Sequence, residues 1–113
     1  MLYQDNSRLD FVTSITPVNY DWKGYTTLGA DIEGTFSAGS GKFQGGSGGV
    51  WTDILTILGG AIVSGGTINT AGHYMANIAS FQQGRFLPSS DFSGTVKITA
   101  NMGVIPLNAI LGV

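Results

Sequence analysis

The chain contains no cysteine and a single histidine, His73. Disulfides, thiolate zinc centres and cysteine nucleophiles are therefore excluded, and the fold rests on packing alone. Charge is also scarce. Only 11% of the 113 residues are charged, against about 25% in a typical soluble domain. A small domain has a large surface for its volume and normally covers it with charge. Here Thr, Ser, Asn, Gln and Gly cover the surface instead, or much of it is buried against other chains; we read the second.

The five cations, Arg8, Lys23, Lys42, Arg85 and Lys97, are scattered, and the net charge is −2 with a pI near 4.9. Few phosphate counterions would be released by such a surface, so no nucleic-acid partner is expected. The N-terminal stretch lacks a basic region followed by an apolar one, so no export signal is expected. The most apolar run, Ile54 to Val63, has ten residues, about half of the ~20 that a spanning helix needs. No transmembrane helix is expected, and membrane association is disfavoured.

What is present is glycine, 18 residues of it, together with many threonines. Glu33 is the only glutamate and lysines number three, so good helix formers are few and the composition favours strands and turns. Residues 94–100, GTVKITA, alternate cleanly: Val96, Ile98 and Ala100 face inward, Thr95, Lys97 and Thr99 outward. Residues 9–18 read as a second half-buried strand, with Leu9, Phe11 and Ile15 on one face and Asp10, Ser14 and Thr16 on the other, ended or confined to an edge by Pro17. Glycines at 24, 29, 34 and 39 suggest short strands punctuated by turns. The one pentapeptide-repeat-like unit there, ADIEG, is not continued, so no solenoid is expected.

Two segments fit a helical template. Trp51, Ile54, Leu55 and Leu58 stand at i, i+3, i+4 and i+7, and Tyr74, Met75, Ile78 and Phe81 repeat that spacing. The glycine pairs between them would each cost about 1 kcal/mol in a helix. The expected fold is therefore mainly β, a compact antiparallel sandwich or barrel-like domain over residues 1–113, with up to two short helices at about 51–58 and 71–83. An α+β arrangement is the alternative.

Candidate chemistry is thin. The stretch GGSGG, residues 45–49, matches the G-x-S-x-G pattern of serine hydrolases, but no buried strand precedes it. His73 is the only possible base, and Asp53 the only acid between serine and histidine. Residues 39–49 are read as a glycine-rich loop. GSGK at 39–42 fails as a phosphate loop, because Phe36 and Phe43 occupy the glycine and Ser/Thr positions. His73 has no partner at ligand spacing, and Asp31 with Glu33 reads as two exposed carboxylates on one strand face. No catalytic, cofactor or metal site is expected. Tyr3, Tyr20, Trp22 and Tyr25 gather in the N-terminal third, and Tyr20, Trp22 and Tyr25 form a possible sugar-stacking platform. Core packing is the bland reading of the same rings.

Residues 101–113 run NMGVIPLNAILGV without a charged side chain. Chain ends are usually polar unless docked, so this segment is expected to bury itself in its own core or on a neighbouring subunit. The interface candidates are Trp51, Ile54, Leu55, Leu58, Val104, Ile105, Leu107, Ile110, Leu111 and Val113. The leading functional expectation is a non-enzymatic structural subunit of a large assembly, a small bacteriophage virion protein (capsid decoration, minor capsid or tail component). Its partners would be copies of itself or other structural subunits. The alternatives are a carbohydrate- or surface-binding β module built on Tyr20, Trp22 and Tyr25, and a small membrane-associated protein using residues 50–66.

Overall fold

The computed structural model describes residues 5–47, 49–54, 56–58, 61–63 and 66–104. They form ten strands: β1 (Asp5–Val12), β2 (Val18–Asp21), β3 (Thr27–Ala38), β4 (Gly41–Ser47), β5 (Val50–Asp53), β6 (Thr56–Leu58), β7 (Ala61–Ile62), β8 (Gly72–Asn77), β9 (Gln83–Pro88) and β10 (Ser93–Gly103). A six-stranded sheet has the order β1-β10-β3-β8-β6-β7, and a four-stranded sheet the order β2-β9-β4-β5. The pairings are antiparallel throughout the described residues. The mainly β expectation is met by two sheets packed on one another, with no closed barrel.

The long strands β3 and β10 form the spine. Val96, Ile98 and Ala100 lie opposite Gly34, Ile32 and Ala30, and all but Gly34 are buried. The alternation of GTVKITA thus sets which face of the large sheet meets the core. The short sheet contributes Tyr20, Phe43 and Phe86 from its inner face, and Trp22, Ile54, Ile68, Ile78 and Phe92 fill the space between. Phe43 and Phe86 meet edge to face with centroids 5.1 Å apart, an arrangement that adds about 0.5–1.5 kcal/mol to the burial itself.

Four expectations are corrected. Over the helix expected at 51–58, the described residues 51–53 and 56–58 are strand: Trp51 and Asp53 pair with Gly46 and Gln44 of β4, and Thr56 to Leu58 pair with β8. Residues 71–83 are likewise β8, a turn and the start of β9. Within β8 and just after it, Tyr74, Ala76 and Ile78 are buried, while His73, Met75 and Asn77 face out. That is a period of two, and the local 3.6-residue pattern loses to cross-strand pairing of β-branched and glycine-bearing segments. The glycine-rich loop at 39–49 is largely β4, held between β9 and β5. Nor are residues 24–39 a set of short strands, since β3 alone runs twelve residues.

Glycine in the short sheet makes room for rings. A Cβ on Gly84 would lie 2.3 Å from the Trp22 indole, and one on Gly45 2.3 Å from the Phe81 ring. Gly45 and Gly84 are direct neighbours across β4 and β9, so two aromatic planes lie against bare backbone at one spot. Side chains there would push both rings out of the core.

Candidate functional site

The hydrolase-like elements are kept apart. Ser47 ends β4 in the four-stranded sheet, whereas His73 stands on the outer face of the six-stranded one. His73 Nδ1 lies 2.6 Å from Asp31 Oδ1, both side chains about half exposed. Asp31 and Glu33 do share a strand face, as expected, but each has its own partner. Glu33 pairs with Lys97 at 3.2 Å. Among the described residues no three His, Asp or Glu side chains converge.

Asp53, the acid nearest Ser47 in sequence, is engaged on the outer face of the short sheet. Gln44 Nε2 donates to it at 2.7 Å and Lys42 Nζ at 3.0 Å, while Arg85 Nε donates to Gln44 Oε1 at 2.8 Å. The Gln44 and Lys42 hydrogen bonds hold the Asp53 carboxyl below the usual carboxylate range. The Arg85 guanidinium sits 4.2 Å from the Trp51 ring centroid. Trp51 is therefore half-buried under a cation on its own subunit.

The stacking platform is corrected too. Trp22 is 0% and Tyr20 4% exposed, stacked on each other at 6.2 Å, and only Tyr25 is half-buried. Two of the three rings are core, so no face is offered to a sugar. Beside them lies an open groove of about 400 Å³ lined by Tyr20, Asp21, Lys23, Ser47, Gln82 and Gln83, among others. Its polar side chains stand on turns and strand ends, with no exposed ring to stack on.

Tyr20 belongs instead to a polar clasp across one open side of the sandwich. Arg8 and Asp10 project inward from β1, with Arg8 Nε 3.0 Å from Asp10 Oδ2 and the guanidinium 5.0 Å from the Tyr20 ring centroid. Arg8 Nη1 also donates to the Asn19 carbonyl of β2, which ties the edge strands of the two sheets together. Burial, then the negative charge of Asp10, raise the Tyr20 hydroxyl well above its ordinary range, with Arg8 acting the other way. A raised folded-state value means this stability is fully present below about pH 10, the ordinary tyrosine value, and lost as pH rises above it. Tyr20→Phe is expected to flatten that alkaline decline. The check is the melting temperature of both proteins between about pH 8 and 11.

The interface candidates are dispersed. Ile54 is buried in the chain's own core at 6% exposure, Leu58 packs partly against that core, and Val104 is half-buried where β10 ends. Leu55, Ile105, Leu107, Ile110, Leu111 and Val113 lie outside the described residues. What the sequence reading missed is at the sheet edges. Leu9, Phe11 and Ile15 are 54%, 66% and 55% exposed, and so are Ile62 (67%) and Val50 (68%). β1 and β7 are the two edges of the large sheet, and β5 is an edge of the small one. The faces of β1 are the reverse of the expected ones. Its register sets Asp10 against Ile98 and Val12 against Val96, so even-numbered side chains turn inward and Leu9 and Phe11 turn out. The strand also ends at Val12 rather than at Pro17.

No protein-family model matches the chain, and no curated protein matches it in sequence. Solved structures do match. The SPBc2 prophage-derived protein YomS superposes with a TM-score of 0.77 at 14% identity, over 91% of this chain and 96% of that one. The fold is shared with prophage proteins. The PBSX exported protein XepA matches with a TM-score of 0.75 at 14% identity, again over 91% of this chain. This chain spans 39% of XepA, so the same architecture makes up a part of that longer protein.

Proposed function

We propose that the protein is a non-enzymatic structural subunit of a phage-encoded assembly, working through contacts between subunits. The observation that carries this reading is the set of large apolar side chains exposed on edge strands β1, β5 and β7. Edge strands with exposed apolar residues invite pairing with another chain, and monomeric proteins usually blunt them with charge, proline or bulges. β1 begins with Asp5 and turns Arg8 and Asp10 inward, but from Ser7 on its outer face carries only the uncharged Ser7, Leu9 and Phe11. The prophage origin of YomS supports a phage source, and the scarcity of charge fits a surface buried in an assembly. The separation of Ser47, His73 and Asp53 supports a role without catalysis. A capsid decoration, minor capsid or tail component is the finer reading, with the virion as its location.

The test is mass spectrometry of particles purified on a density gradient from the host that carries the gene. Peptides of this chain should band with the particles in fixed ratio to the major capsid protein. Recovery only in the soluble fraction would remove the virion role.

A further inference from the structure

β1 is eight residues long and, among the described residues, pairs only with β10. Its second edge presents backbone donors and acceptors for a further strand, beside the exposed Leu9 and Phe11 side chains. The chain itself holds a segment of matching chemistry. Residues 105–113, IPLNAILGV, place Ile105, Leu107, Ala109, Leu111 and Val113 at alternate positions, so an extended form has one wholly apolar face. The two-residue spacing of Leu9 and Phe11 is that of this face.

We propose that residues 105–113 of one subunit add as a strand to the β1 edge of a neighbouring subunit and cover its Leu9 and Phe11. This rests on the assembly reading above and names its contact. Topology argues for exchange between subunits. β10 delivers the segment at the end of the sheet where Gly103 faces Asp5, the start of β1. To reach the far edge of its own β1, the chain would have to turn around the start of that strand and then run parallel to it. Every described pairing in this fold is antiparallel. A neighbour's segment can run antiparallel to β1. Nine extended residues span roughly 30 Å, enough to cover Leu9 and Phe11 from either end of the strand. Donor and acceptor are different surfaces, so subunits are joined either by reciprocal exchange in a dimer or head to tail with two different neighbours.

The cysteine-free chain makes the test direct. Leu111→Cys or Leu107→Cys is combined in one chain with Leu9→Cys or Phe11→Cys, and the purified protein is oxidised and run on a non-reducing gel. A covalent dimer, from reciprocal exchange, or a ladder of covalent multimers, from head-to-tail exchange, is expected from at least one pair, with the single variants giving neither. A monomer band that has lost its free thiols would mean the segment folds back on its own β1, and would overturn the proposal. Monomer with both thiols free in all four pairs would overturn it equally, provided light scattering shows the unmodified chain to be assembled. If the unmodified chain is monomeric at every concentration, the assembly reading itself falls. Leu9→Asp/Phe11→Asp serves as the second arm, since both positions are exposed and should leave the fold intact. Its native mass should drop to that of one 11.8 kDa chain with an unchanged circular dichroism spectrum; retention of the parent's mass would contradict the proposal.

Discussion

Trp22→Ala is expected to remove about 3–5 kcal/mol of stability, a large part of the 5–15 kcal/mol that holds a domain of this size. The indole is fully buried, lies flat on the bare backbone of Gly84, and stacks on Tyr20. Its main chain also anchors the turn after β2, donating to the Gln82 carbonyl and accepting from the Tyr25 amide. The cavity left by alanine would be bounded by strands on both sides, so little collapse is available to offset it. Trp22→Phe should cost far less, about 1–2 kcal/mol. It loses part of the ring but also removes the indole N–H, which has no hydrogen-bond partner among the described residues. Urea unfolding reads both, as a large and a small fall in midpoint. A Trp22→Ala protein with an unchanged midpoint would mean the ring is not core. A loss of ligand binding in that variant would then need a different explanation from unfolding.

Gly34→Ala is expected to be comparably damaging, for a backbone reason. Gly34 has φ +108°, and a Cβ there would stand 2.2 Å from the Thr95 carbonyl oxygen. Across the same seam Gly94 has φ +139°, with the Thr35 carbonyl oxygen 2.1 Å from its would-be Cβ. The register of β3 and β10 shifts at Ser93 and Gly94, so the two glycines allow a close approach of backbones at a bulge. Strain of about 1–3 kcal/mol at the rare φ adds to about 1–3 kcal/mol of steric displacement. Neither neighbour is a side chain that can swing away. Thermal melts of Gly34→Ala and Gly94→Ala should both fall well below the parent, whereas Gly24→Ala, with open space around its Cβ position, should lose only the cost of its positive φ.

These residues also show which parts of the fold were legible. GTVKITA was readable because its inward and outward sets differ chemically at every step. β1 was misread because its inward set is Arg8, Asp10 and Val12. A charged pair that clasps the second sheet looks, in sequence, like a solvent face. β8 was misread because Ala76 is too small to mark the alternation, while the outward Met75 is apolar enough to complete a helical template. β4 was hidden by glycines whose role depends on rings from Phe81 and Phe86, brought in from outside the strand. The aromatic cluster at residues 20–25 was correctly located, but nothing local says whether a ring faces solvent or Gly84. The apolar edges follow the same logic. Leu9 and Phe11 were visible as a pair, yet their exposure depends on the register with β10, which is a long-range property.

Assembly through the sheet edges is the property on which the proposed function rests. The most direct measurement is the native mass of the purified chain by light scattering across a wide range of concentrations. A defined multiple of the 11.8 kDa chain, unchanged on dilution, is expected. A mass of one chain at every concentration, with the protein remaining soluble, would contradict it.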